Sequence, residues 1–304
     1  MQFFSRGRSG PFATIAAAAV LFGIAVPVLK VLVSSIAPVM LVAVLSLGAG
    51  AGSLSWLLVR KQRVPVPMPR LERAGLRLLA GTVVVGGFLA PVIQVTSLTV
   101  TPAAAASVLL NVEIVSTVLI AFLLFREPVD RWTAVALAAI LAGSVLLSWN
   151  GGPDPGFSAG AAGIILACVL WGVDNNLMGR IGGITPESIV LVKALCGGSA
   201  ALALAVLLRE PFPAPVPAAC AFATGFIAFG AGLILFVRAL RKMGAARAGA
   251  VYAAAPFVGC IVSLLFFADT LPGQFWAALP LFGAGALMIF LEQWRKEPPA
   301  PILK

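Results

Sequence analysis

Ten long apolar runs alternate along the chain with short stretches rich in Pro, Gly and charge. A helix needs about 20 apolar residues to cross a bilayer. By that measure the runs predict transmembrane helices over 13–33, 37–59, 76–96, 102–125, 132–149, 159–179, 186–208, 218–238, 247–267 and 273–292. Clusters such as Val64-Pro65-Val66-Pro67-Met68-Pro69 and Gly151-Gly152-Pro153-Asp154-Pro155 separate them. The runs are too long for barrel strands and show no alternation of period two, so a closed β-barrel is excluded.

Composition agrees with lipid as the surrounding solvent. The 304 residues are 61% hydrophobic and 11% charged, whereas a soluble domain carries about 25% charged residues. Most of the 31 Gly and seven of the 22 Pro sit inside the apolar runs, and both types are more frequent in membrane helices than in soluble ones. The net charge of +10 does not indicate a nucleic-acid partner, because the basic residues lie in short loops between apolar runs. With the N-terminus in the cytoplasm, eighteen of the 21 Lys and Arg fall on cytoplasmic segments, Arg60, Lys61, Arg63, Arg70, Arg73 and Arg77 among them. That bias predicts both termini inside. The first run is long enough to span and lacks a small-residue cleavage site, so no signal peptide is expected.

Two segments repeat. Leu98–Phe125 aligns without gaps on Leu240–Phe267 at an offset of 142, with Leu98, Ala103, Ala104, Ala106, Leu123 and Phe125 matched and Glu127 meeting Asp269. Leu21-Phe22-Gly23 corresponds to Leu170-Trp171-Gly172 at an offset of 149. Five helices per half is an odd number, so the second half enters the membrane in the opposite direction. The expected architecture is an all-α integral membrane protein of ten transmembrane helices, arranged as two inverted five-helix repeats. Its parts are a cytoplasmic N-terminus (1–12), the first repeat (13–149), an extracytoplasmic linker (150–158), the second repeat (159–292) and a cytoplasmic tail (293–304). Inverted repeats recur in secondary transporters, with the substrate site near the midplane at their interface.

These residues resemble the drug/metabolite transporter superfamily in its ten-helix form, with two EamA-type repeats. The aromatic-Gly pairs Phe22-Gly23 and Trp171-Gly172 and the Ala-rich start of the fourth helix in each half carry the likeness. The family's Glu-Pro step is split here, with Glu113 followed by Ile114 in one half and Ala255 before Pro256 in the other. The chain is most similar to a bacterial subgroup with Phe22, Gly23, Pro27 and Lys30 in the first helix, Trp171 to Asn176 in the sixth and Lys193 in the seventh. The resemblance implies a multi-pass protein of the bacterial cytoplasmic (inner) membrane. The superfamily exports amino acids, metabolites and toxic compounds, and some members import.

Ionisable groups inside a bilayer are costly, on the order of 2.5–3.5 kcal/mol or more, and therefore mark candidate sites. Glu113 lies eleven residues into its helix, roughly 16 Å deep at 1.5 Å per residue. It is either a substrate or proton site, or a packing hydrogen bond. Asn111, two positions away, faces another side of the helix. Asp174 and Lys193 fall at similar depth on consecutive helices and can pair; of Asn175 and Asn176, at most one shares the face of Asp174. Lys30 lies near the outer edge, as a snorkelling anchor or a cavity-mouth charge. Pro27, Pro91 and Pro256 fall within spans and are candidate kinks or hinges. Gly48-x-x-x-Gly52 reads as a close-packing face, and Trp149, Trp276 and Trp294 as interfacial anchors.

The chain contains no His, which removes the commonest general base and metal ligand. Cys168, Cys196, Cys220 and Cys260 have no metal or disulfide spacing. No Ser–His dyad, metalloprotease motif or phosphate-binding loop appears, and a Ser–Lys arrangement at Lys193 has no elbow-like serine near it. An intramembrane enzyme is therefore the disfavoured alternative, and no cofactor or metal is expected. The function expected is secondary transport of small organic solutes, most simply export of amino acids or related metabolites by alternating access. Multidrug efflux and metabolite import are the alternatives within that class, and a noncatalytic assembly role lies outside it. The expected partners are a small-molecule substrate and membrane lipid. Proton coupling, and monomer against homodimer, stay open.

Overall fold

The computed structural model describes residues 9–61, 72–126, 129–150, 156–243, 251–267, 271 and 273–295. Ten helices account for nearly all of them. They are α1 (Ser9–Leu32), α2 (Pro38–Lys61), α3 (Arg73–Leu98), α4 (Ala103–Phe125) and α5 (Arg131–Ser148) in the first half. The second half has α6 (Ala159–Gly179), α7 (Pro186–Leu207), α8 (Pro215–Met243), α9 (Ala255–Phe266) and α10 (Gly273–Arg295). Among the described residues nine helices are long and apolar enough to cross a membrane, and α9 is a shorter apolar helix of 12 residues. A two-residue antiparallel ribbon, Trp149–Asn150 with Gly156–Phe157, ties the halves together.

Helix starts follow from local chemistry. Asp130 accepts from the amides of Trp132 and Thr133 at the start of α5, Ser158 from Ala161 at α6, and Thr185 from Ser188 at α7. Such caps satisfy donors that the first turn leaves unpaired. Pro186 and Pro215 occupy first-turn positions, where no amide is needed. Arg126 and Arg209 adopt left-handed conformations (φ 55° and 56°) that turn the chain out of α4 and α7.

Packing repeats with a two-fold pattern. α4 packs on α6 as α9 packs on α1, α3 on α6 as α8 on α1, and α3 on α7 as α8 on α2. The pairs α2–α7 and α5–α10 map onto themselves. Individual contacts obey the same rule: Gly198 faces Ser46 while Gly50 faces Ala194, and Gly143 faces Phe282 while Gly285 faces Ile140. The Gly48-x-x-x-Gly52 face is used within the chain, against the backbone of Phe222 and Phe226 on α8. Small residues let helix axes approach closely where lipid provides no hydrophobic drive for association.

Two irregularities also recur. α3 winds as a π-helix from Val83 to Leu89 and α8 from Gly225 to Gly232. α4 breaks at Leu110–Asn111, and the ninth span turns at Ala253–Ala254, after a helical pair at 251–252. The ninth span is therefore not one helix over 247–267. Pro256 sits in the first turn of α9, where its missing amide starts a helix but cannot continue one. Residues 247–250 of that expected span, Glu127, Asp269 and most of the Pro and Gly clusters lie outside the described residues.

Candidate functional site

The α4 break, the π-turn of α3 and the α6–α7 pair converge on a central cavity of about 170 Å3. Its walls come from α1–α4 and α6–α9 and from Tyr252 and Ala253 just before α9, while the described residues of α5 and α10 contribute none of them. Glu113, Asp174, Asn175 and Lys193 all line it.

At the α4 break the backbone tightens, Glu113 N bonding to Leu110 O at 3.1 Å and Ile114 N to Asn111 O at 3.2 Å. The turn places Glu113 at the start of the second α4 segment, facing α6. Asn175 Nδ2 donates to Glu113 Oε1 at 2.8 Å and reaches Thr117 Oγ1 at 3.3 Å. Asn176 points elsewhere and donates to Thr117 O and Gly172 O, both at 2.9 Å. The two neighbouring amides thus divide the work, one serving the cavity and the other clamping α6 to α4.

Lys193 on α7 pairs with Asp174 on α6 through Oδ2, and both are buried. The other oxygen, Asp174 Oδ1, is buried with no hydrogen-bond partner among the described residues. Gly86 and Gly87, inside the π-turn of α3, make room for this pair. A methyl on Gly86 would overlap the Asp174 carboxylate, and one on Gly87 would come within 2.9 Å of Lys193 Cγ. Widening the helix by one residue per turn presents both glycines to the pair.

The remaining sequence candidates lie apart from this cluster. Asn111 is buried behind the wall, and its Nδ2 donates to Val108 O at 3.0 Å within its own helix. Lys30 points away from the cavity and closes the end of α3, donating to Leu98 O at 2.8 Å and Thr101 O at 2.9 Å. Pro27 lies inside α1, and Pro91 follows the π-turn of α3. Pro91 and Pro256 also line the cavity, whereas Pro27 does not.

Several wall residues escaped the sequence reading. Gln94 and Ser107 are buried polar groups on the wall. An aromatic cluster also lines it: Phe22 meets Tyr252 edge-on at 5.4 Å and Phe229 at 5.6 Å, and Phe236 lies 4.6 Å from Tyr252. Tyr252 is the chain's one tyrosine, a signal that could have singled it out. Beyond the wall, Arg238 on α8 binds the fully buried Glu187 of α7, Nε to Oε1 at 2.9 Å, and lies over the Trp56 ring of α2 at 4.6 Å. Among the described residues no group of three or more His, Cys, Asp or Glu could hold a metal ion.

Comparison with known proteins places this geometry. A relative from Methanothermobacter thermautotrophicus (strain Delta H), described as an uncharacterized transporter, is 25% identical over 280 residues, covering 85% of this chain and 79% of its own. A solved crystal structure superposes with a TM-score of 0.61 at 20% identity, covering 97% of this chain and 100% of that one, a likeness of fold. The EamA-like transporter family matches twice, over residues 11–149 and 158–291. This chain, a multi-pass membrane protein built from two such repeats, belongs to the EamA-like transporter family.

Proposed function

We propose that the chain is a secondary exporter of amino acids or related small metabolites, working by alternating access in a bacterial cytoplasmic membrane with both termini in the cytoplasm. The observation that carries this reading is the central cavity. It is walled by equivalent helices of both repeats and holds two carboxylates, an ammonium, two carboxamides and a few hydroxyls in a mainly apolar lining. Polar groups at the interface of inverted repeats are where transporters of this architecture bind solutes, and buried charge of this kind is too costly to serve as inert lining. Glu113 is the substrate or coupling-proton site, Asn175 orients it, and the Asp174–Lys193 pair sets the local field. No catalytic step is assigned, and the unit of function is a monomer or homodimer.

The test is export itself. Cells expressing the chain, an empty vector or Glu113→Ala are compared by mass spectrometry of the medium, after insertion of each protein is verified. A metabolite that accumulates outside only with the intact chain is the expected result. Equal media from all three, with the proteins inserted, would overturn metabolite export.

A further inference from the structure

The cavity's backbone is two-fold, but its chemistry is not. The offsets of 142 for α4 and α9, 149 for α1 and α6, and 148 for α2 and α7 (Pro38 against Pro186, each opening its helix) relate equivalent positions. They carry Glu113 onto Ala255, Asp174 onto Ala25 and Lys193 onto Leu45. All six of these side chains line the same cavity. Glu113 of the first repeat and Asp174 and Lys193 of the second are thus each answered by a hydrocarbon side chain at the position equivalent to them in the other repeat. The same wall carries the rings of Phe22, Phe229 and Tyr252. A solute that fits is polar at one end and apolar at the other.

The charge count fixes the sign of the polar end. From the sequence, Lys30 and Lys193 balance Glu113 and Asp174, as a zwitterion would require. In the structure Lys30 is spent on the carbonyls that end α3 and is not on the wall. The wall retains two carboxylates and one ammonium, and that ammonium is paired with Asp174. Glu113 is held by a neutral amide donor, Asn175. Two further acceptors, Asp174 Oδ1 and Ser107 Oγ, are buried on the wall without a hydrogen-bond partner among the described residues. An incoming carboxylate would meet two others, with the one lysine already paired. An incoming ammonium would find the Glu113 carboxyl, which no cationic side chain pairs among the described residues, the Asp174 carboxylate, and aromatic faces, which attract cations in desolvated sites.

We infer that the cavity takes an amphipathic monocation, a protonated amine lacking a carboxylate, with its nitrogen at Glu113 and Asp174 and its aromatic or aliphatic body against Phe22, Phe229 and Tyr252. This rests on the transport reading and narrows its substrate from amino acids and related metabolites to amines without a carboxylate.

The test is a charge series on one hydrocarbon body. Binding of phenethylamine (+1), phenylalanine (zwitterion) and phenylacetate (−1) to the purified full-length protein is measured by isothermal titration calorimetry at neutral pH. Phenethylamine is expected to bind about tenfold or more tighter than phenylalanine, the order of one desolvated cation contact, with phenylacetate weakest. In Glu113→Gln the advantage of the amine over phenylalanine is expected to vanish. The wild-type series decides the matter by itself if that variant does not fold. Phenylalanine or phenylacetate binding as tightly as the amine would overturn the monocation assignment and leave transport standing. Binding of none of the three would overturn it too, while export stands or falls separately on the metabolite comparison.

Discussion

Lys193 and Asp174 show what a buried charge demands of its partner. Removing one member of such a pair leaves an uncompensated ion in a low-dielectric interior, at a cost of about 3–5 kcal/mol, whereas removing both is often neutral. Lys193→Met is therefore expected to lower the thermal unfolding midpoint of the purified protein sharply, and Asp174→Leu/Lys193→Met to restore most of it. A double variant as unstable as the single one would show that the pair's contribution is not electrostatic. At this scale the sequence was informative where an ionisable residue interrupts an apolar run, as Glu113, Asp174 and Lys193 do. It was less so for Lys30, whose place depends on where the backbone of α3 ends and frees Leu98 O and Thr101 O. Gln94 and Tyr252 escaped because a single polar or aromatic residue in a membrane helix reads equally as packing.

At the scale of elements, apolar length and basic loops marked out the helices, but not their internal departures. Nothing in the run from Arg73 to Leu98 announces a π-turn, since its bonding pattern is set by what the helix packs against. Gly86-Gly87 followed by Pro91 is its one local trace. The function of that turn is spatial, because it brings two glycines to the Asp174–Lys193 pair. Gly86→Ala should drive a methyl into the Asp174 carboxylate, an overpacking that costs about 1–3 kcal/mol. Gly283→Ala, in α10 with open space around its Cα, should be neutral or stabilising by up to about 1 kcal/mol through helix propensity. Thermal unfolding of the two variants side by side checks both signs. Equal midpoints would mean that α3 shifts to accommodate the methyl and that the turn is not fixed by this contact.

Across the whole molecule, the two ends of the bundle are fastened differently. At the end opposite the start of α1, Glu210 caps α2 by accepting from Met40 N at 2.6 Å, and Lys30 closes α3. Both ties hold backbone ends in place. At the end where α1 starts, among the described residues, side chains tie α7 to α8 through Glu187, Arg238 and the Trp56 ring beneath. Glu187 lies one helical turn before the cavity residue Val190, and Arg238 two residues after the cavity residue Phe236. Side-chain ties can open without unwinding a helix, so this end is the one poised to separate first as the repeats rock against each other. Arg238→Gln should shift the population toward a state open at that end. The measurement is the maleimide labelling rate of Val190→Cys, in a background where the exposed Cys196 and Cys220 are replaced by Ser. In inside-out vesicles, which present the face proposed to be cytoplasmic, the rate should rise about tenfold with Arg238→Gln, equivalent to about 1.4 kcal/mol of population shift. In right-side-out vesicles it should stay unchanged. Labelling that rises equally from both sides would point to loosened packing rather than a latch, and faster labelling from the outside alone would reverse the orientation assigned to the bundle.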